Sequence, residues 1–401
     1  MGERAVMETF GAKKSDSTVR WTSIVGARPQ FVKLAPVCRA IDAHNRLKRP
    51  PLIDHCIIHT GQHYDREIAE LLFLQMEIPT PNCNLKVGSG SHGVQLARML
   101  ARLEPILAAK HPDWVVVYGD TNSTLAGALL SARLGLRLAH VEAGCRSADA
   151  TMPEEQNRIV ADHLSRLLLA PSQSAIENLH REGIGTPNDP QNRRTVMVGD
   201  VMYDALLQCR EFADKTADEK LEQYGLESGK YYLLTLHRAA NTDSSESLRA
   251  ILEAIGTLEM PVLFPVHPRT RHLLEVAEIS LNRALRPVAP LGYHEMLALE
   301  KHAHKILTDS GGMQKEAFYL GVPCVTLRDR TEWPETVAAG ANRIAGAEPA
   351  SILEAIHSDD QRDWLKSSPY GQGMAAQRIV EELLAEPSHQ IHVAAAKASG
   401  A

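Results

Sequence analysis

The sequence predicts an α/β protein made of two parallel-sheet units whose strand ends face each other across a cleft. Three observations predict it. Short β-branched or apolar runs alternate with amphipathic stretches, the pattern of parallel strands joined by crossover helices. The alternation runs through two cycles, and a stretch rich in Gly, Pro and Asn, REGIGTPNDPQNRR, separates them. The 401 residues, 44% of them hydrophobic, are ample for two compact domains and excessive for one.

The first cycle opens with TSIVG and FVKLAPVCRAI and continues with HCIIHT and REIAELLF. WVVVYGD and STLAGALLSARLG follow, and LRLAHVE and LLLAPS close it. Val- and Ile-rich runs that stop at Gly or polar residues fit buried strands, and the spaced apolar positions after them fit helices laid over the sheet. After VMVGDVMYDALL the second cycle brings YYLLTLH, PVLFPVH, KILTDS and VPCVTLR, each feeding a helical pattern. The boundary falls near residues 190–205, giving a first domain over 20–195 and a second over 196–370. Segment 371–386 carries an Ile379, Val380, Leu383, Leu384 stripe that must be buried, either closing the second domain or crossing back onto the first. Residues 1–19, charged throughout, read as a flexible leader, and 387–401 as a disordered tail.

Composition excludes several classes of partner. The net charge is −6, from 43 basic and 49 acidic residues, and no block of Lys or Arg marks a nucleic-acid surface. No apolar run is long enough for a membrane span or a secretory signal. The six cysteines are scattered without a Cys-x-x-Cys pair, which fits a reducing cytoplasm and argues against a thiolate metal site. Eighteen histidines contain no His-Glu-x-x-His, so no metal is expected, and His302 and His304 read as surface residues. Gly88, Gly90 and Gly93 satisfy G-x-G-x-x-G, but no strong strand precedes them. They read as a loop over the ligand rather than a dinucleotide fingerprint, and no cofactor is expected. P-loop and nucleophile-elbow motifs are missing as well.

Polar residues interrupt the apolar scaffold at predicted strand ends, where parallel α/β sheets bind ligands. In the first half these are Gly26 to Gln30, Thr60 to His63, Asp120 and Glu142, with Glu154 soon after. In the second they are His237 with Arg238, His267, and Asp309 through Gly312. In KILTDSGGMQKEAFYLG a strand stops, Ser310 is placed to cap a helix, and Gly311 and Gly312 allow close backbone approach. Free N–H groups and the helix dipole there favour a phosphate, and Glu316 one turn on can accept ribose hydroxyls. An ordinary capped helix leaves the same trace. In VGARPQFVKLAPV, Arg28 can clamp a diphosphate and Lys33 follows in the helix, although a surface Arg beside Pro29 fits equally well.

Taken together and in order, GARPQ, TGQHYD, GDTNSTLAG, HVEAGCRS, MPEEQNR, LHRAAN, PVHPRT, DSGGMQKEA and RDRTEWPE resemble the non-hydrolysing UDP-N-acetylglucosamine 2-epimerases. The similarity runs from about residue 20 to residue 345. It implies a glycosyltransferase-B architecture, two Rossmann-like domains holding a UDP-sugar between them, and a homodimer. The implied reaction inverts C2 of the amino sugar. That carbon has no neighbouring carbonyl to acidify its proton, so the family eliminates UDP across C1 and C2 to a 2-acetamidoglucal and adds it back.

Carried over motif by motif, Asp120, Glu142 and Glu154 match the essential carboxylates, and His237 matches a histidine at the leaving phosphate. Glu155, beside Glu154, is expected to be structural. Arg28 and Lys33 with Ser310, Gly311 and Gly312 fall to the phosphates and Glu316 to the ribose. His63, Arg158, Arg238 and His267 are further candidates for substrate or effector contact. Ion pairing of the acids with Arg146 or Arg158 is their alternative use. Departures from the pattern bear on substrate: Ala240 stands where relatives usually carry Glu, Trp333 where TERPE has Arg, and Tyr64 follows TGQH where substrate-regulated relatives often have Arg. They put an allosteric UDP-N-acetylglucosamine site in doubt, and the TGQHYD, VGSGSHG and TEWPE variants look closer to a branch acting on UDP-2,3-diacetamido uronic acids, for which Arg238, Arg269 or Arg330 would be the extra cation. A hydrolysing epimerase, a glycosyltransferase and an inactive UDP-sugar-binding protein are the rival readings.

Overall fold

A computed structural model describes residues 18–62, 72–242, 244–359 and 363–386. Seven parallel strands form the first sheet: β1 (Thr18–Val25), β2 (Leu52–His59), β3 (Cys83–Asn84), β4 (Trp114–Tyr118), β5 (Leu138–Val141), β6 (Leu167–Ala170) and β7 (Arg194–Met197). Their order is β3-β2-β1-β4-β5-β6-β7. The central strands are buried along their length because helices cover both faces, which is why WVVVY and LLLA carry no polar alternation. The chain runs outward from β1 to β3 and then returns to β4, so the crevice of the topological switch opens between β1 and β4.

The second sheet repeats this layout with β8 (Tyr232–Thr235), β9 (Val262–Pro265), β10 (Leu285–Val288), β11 (Lys305–Thr308), β12 (Cys324–Thr326) and β13 (Asn342–Ile344) in the order β10-β9-β8-β11-β12-β13. Its switch point lies between β8 and β11. The two sheets thus give the glycosyltransferase-B arrangement, and each crevice receives the loops that the sequence marks as polar.

Between the sheets runs the helix Val201–Tyr224, capped where the Asp200 carboxylate accepts the Met202 amide at 2.9 Å and ended by Gly225 at φ +59°. It packs on the helices Arg28–Arg46 and Tyr293–Lys301, one from each half. The terminal helix Ala375–Ala385 crosses back: Ile379, Val380 and Leu383 join the core that holds Phe31 and Val32. Asp204 fastens its start by accepting the Ala375 and Ala376 amides at 3.1 and 2.7 Å. Among the described residues no helix is long and apolar enough to cross a membrane.

Candidate active site

Glu142 directly follows β5 with φ +71°, a left-handed backbone that a residue with a Cβ adopts at a cost. Its side chain is held from both sides. Lys33, buried on the helix after β1, donates to Oε1 at 2.7 Å, and Lys315, buried on the helix after β11, donates to Oε2 at 2.9 Å. Burial alone would push this carboxyl up, but Lys315 and Lys33 outweigh it and hold it down at about 2. Gly119 makes room for the pair: at φ +60° it lies where a Cβ would stand 2.8 Å from Lys33 Nζ.

Asp120 follows β4 and Gly119, with a quarter of its side chain exposed (25%) and Arg158 Nη1 at 3.3 Å. Burial raises its carboxyl above the usual range, against the pull of Arg158 and Lys33. The loops bearing both acids are tied together by His140, whose Nε2 lies 2.7 Å from the Gly119 carbonyl and Nδ1 2.7 Å from Asp162. Asp162 in turn accepts the Gly144 amide and pairs with Arg146 at 2.7 Å.

Glu154 opens the helix Pro153–Leu164, and its Oε1 accepts from Arg238 Nη1 at 2.8 Å, a contact across the cleft. Its neighbour Glu155 is buried, accepting the Ser147 amide and hydroxyl and the Ala148 amide, all at 3.0 Å, and pairing with Arg158 at 3.1 Å. Glu155 therefore organises the loop after β5, while Glu154 stays one-third exposed (34%).

From the second domain, His237 follows β8 with its ring one-third exposed (35%) and Nδ1 3.0 Å from Asp309 Oδ1. Asp309 also accepts the His237 amide at 3.0 Å and the Arg238 amide at 2.9 Å. Burial works to raise Asp309, but His237 and these hydrogen bonds keep it low. The His267 ring lies 5.7 Å from that of His237.

The helix Gly311–Leu320 starts as the sequence predicts, with one correction. Ser310 occupies the cap position, yet its hydroxyl makes no capping hydrogen bond, and its own amide is drawn back to Thr308 Oγ1 at 2.9 Å. The first turn is thereby left without a side-chain cap. Gly311 lies where a Cβ would meet Trp333 Nε1 at 3.3 Å, so the glycine keeps this end narrow and open. Glu316 is buried one turn on, its carboxyl raised by that burial. Across the cleft, Arg28 donates to the Leu291 carbonyl at 3.5 Å.

The contacts above link Asp120 to Arg158, Glu154 to Arg238 and through Asp309 to His237, and Glu142 to Lys33 and, through Lys315, to the helix that the Ser310–Gly312 turn begins. Lys33 is engaged by Glu142 rather than by the open helix end. His63 and Tyr64 lie outside the described residues. Sequence reasoning gave no role to Lys315 or Asp200, and marked Asp309 only as one of the polar residues at a strand end. Lys315 carried a signal, since it stands four residues after Gly311 and so shares its helix face. Among the described residues no group of three or more His, Cys, Asp or Glu is placed to hold a metal ion.

Comparison with known proteins bears on this geometry. The family model of UDP-N-acetylglucosamine 2-epimerase matches residues 45–384. A UDP-N-acetylglucosamine 2-epimerase homolog of Methanococcus maripaludis is 47% identical over 365 residues, covering 90% of this chain and 98% of its own. The UDP-2,3-diacetamido-2,3-dideoxy-D-glucuronate 2-epimerase of Pseudomonas aeruginosa is 42% identical over 366 residues, covering 90% and 98%. The crystal structure of Methanocaldococcus jannaschii UDP-GlcNAc 2-epimerase in complex with UDP-GlcNAc and UDP superposes with a TM-score of 0.83 at 41% identity, covering 91% of this chain and 99% of that one. With a family model spanning most of its length and relatives of this identity over nine-tenths of it, the chain belongs to the UDP-N-acetylglucosamine 2-epimerase family.

Proposed function

We propose that the protein is a non-hydrolysing isomerase that inverts C2 of UDP-N-acetylglucosamine to give UDP-N-acetylmannosamine. The observation that carries this reading is the 2.9 Å contact between Glu142 and Lys315, which puts a carboxylate of one domain against the open-ended helix of the other. A sugar held by its diphosphate at that helix end would have its C1 and C2 among Asp120, Glu142 and Glu154.

In the proposed cycle a carboxylate removes the C2 proton, the C1–O bond breaks, and its electron pair leaves with UDP. The amides of Gly311 and Gly312, Arg28 and His237 receive the developing phosphate charge. UDP then adds back to C1 while a proton is delivered to the opposite face of C2. Glu142, clasped by two ammonium groups, stays ionised throughout. Asp120 and Glu154 are left for the proton transfers. The fold needs no nicotinamide for this sequence of steps.

The Pseudomonas relative, named for a uronic acid substrate, gives the second reading. A substrate carboxylate would need a cation: Arg238 is already paired with the Glu154 carboxylate, whereas Arg330 donates only to the Ala148 carbonyl and keeps its charge. A cytoplasmic homodimer is part of the proposal, and light scattering on the purified protein tests the dimer. Nuclear magnetic resonance of UDP-N-acetylglucosamine incubated with the protein tests the activity. The reading predicts the C2 epimer with UDP retained; release of UDP in step with free N-acetylmannosamine would make it a hydrolysing enzyme.

A further inference from the structure

In the cycle above Lys315 only helps to keep Glu142 ionised, yet it is among the most enclosed cations of the described residues, with 1% of its side chain exposed. Its Nζ donates to Glu142 Oε2 at 2.9 Å, pairs with Asp200 Oδ2 at 2.7 Å and stands 3.8 Å from the centre of the Trp333 ring. The Tyr319 hydroxyl donates to the same Asp200 oxygen at 2.5 Å.

These contacts join separate parts of the chain. Glu142 directly follows a strand of the first sheet, Asp200 caps the helix that leaves that sheet, and Lys315 lies on the helix after β11 of the second. Helical spacing explains the arrangement. Gly311, Lys315 and Tyr319 repeat every fourth residue and share one stripe, with Trp333 lying along it from Gly311 to Lys315. Gly312 and Glu316 form the adjacent stripe, which carries the phosphate and ribose candidates.

We infer that Lys315 is a positioning residue through which the nucleotide-binding helix of the second domain sets the orientation of the Glu142 carboxylate in the first. The inference rests on the epimerase reading. Lys33 alone fixes one oxygen and leaves the carboxylate free to turn about that bond; Lys315 on the other oxygen removes the freedom. The four groups also balance, two ammonium groups against the carboxylates of Glu142 and Asp200. Without Lys315 the carboxylates face one ammonium, and mutual repulsion drives Glu142 from its place. Because the helix is rigid over a single turn, an anion anchored at Gly311 and Gly312 fixes the position of Lys315 as well.

The test compares wild type, Lys315→Met and Lys315→Arg on UDP-N-acetylglucosamine, with UDP affinity measured by calorimetry. Lys315→Met should lower kcat about 100-fold while UDP affinity stays within about threefold of wild type. Lys315→Arg, which keeps the charge, should recover about tenfold of that loss. A lysine that only staples the domains would not divide its effect in this way. Lys315→Met turning over at the wild-type rate, or a loss confined to KM and UDP affinity, overturns the inference. Should the Met variant not fold, Lys315→Gln takes its place with the same expectations. A wild-type protein inert toward UDP-N-acetylglucosamine and UDP-N-acetylmannosamine overturns the epimerase reading itself, an outcome distinct from an active wild type with an active variant.

Discussion

The Nδ1 of His237 stands 3.0 Å from the carboxylate of Asp309, which has no exposed surface and also accepts the amides of His237 and Arg238. The buried acid fixes the ring so that Nε2 is the nitrogen left for the cleft, the arrangement by which a carboxylate sets the tautomer of an acid–base histidine. Asp309→Asn keeps the shape and loses the charge. It should lower kcat about 100-fold with a smaller change in KM, as steady-state kinetics would show; an unchanged kcat would mean that the pair only shapes the backbone.

Asp120 gives a prediction in pH. Burial raises its carboxyl, and Arg158 at 3.3 Å opposes the rise. As a base it must be ionised, so kcat/KM is present above its pKa and is lost as pH falls through it, at a higher pH than for an ordinary aspartate. Arg158→Met removes the opposing cation and should move this acid limb further up. Asp120→Asn should lower kcat about 1000-fold. An acid limb that stays in place in Arg158→Met would exclude Asp120 as the group observed.

Glu300 and Glu316 give a prediction in stability. Glu300 has no exposed surface, neither of its carboxyl oxygens has a hydrogen-bond partner among the described residues, and burial together with the nearby Glu316 raises it far above the usual range. The unfolded chain releases this proton at the ordinary glutamate pKa while the folded protein retains it, so stability falls as pH rises above that value. Glu300→Gln removes this loss. Denaturant titrations should find it more stable than wild type at neutral pH and equal to it near pH 4. Glu316→Gln should instead weaken UDP binding about tenfold by removing charge-assisted hydrogen bonds.

Gly119 offers a local test of the Lys33–Glu142 contact. An alanine there meets Lys33 Nζ at 2.8 Å and takes on a left-handed backbone, so Gly119→Ala should cost about 1–2 kcal/mol of stability. By moving Lys33 off Glu142 it should lower kcat about tenfold. A stable and fully active variant would show that the lysine can give way without consequence.

Much of this molecule is legible in its sequence because burial on two faces leaves strands as unbroken apolar runs. VVVYGD and LRLAHVE mark strand ends without ambiguity, and each closes on a candidate acid, Asp120 and Glu142. Glu154 and Glu155 are a harder case: adjacent on one helix, they differ only in that Glu155 meets the amides of Ser147 and Ala148 and Glu154 faces Arg238. The motif resemblance separated them; local pattern could not. The spacing of Lys315 from Gly311 gave its helix face, but the pairing of Lys315 and Asp200 was not legible, since their partners come from elements distant in the chain and a lysine inside an amphipathic helix ordinarily points to water. Ser310 misled because a serine before a helix is a common cap, whereas here Thr308 holds its amide and the hydroxyl is not used as a cap. The terminal helix was ambiguous for a simpler reason: an apolar stripe states that it must be covered, not by what.

The central claim is that a hydrogen is taken from C2 and returned from solvent while UDP departs and comes back. It is tested most directly by running the reaction in deuterium oxide and following UDP-N-acetylglucosamine by proton and phosphorus resonance. The account predicts solvent deuterium at C2 of the epimer formed, with the nucleotide remaining as UDP-sugar. An epimer that keeps its original hydrogen at C2 would contradict it.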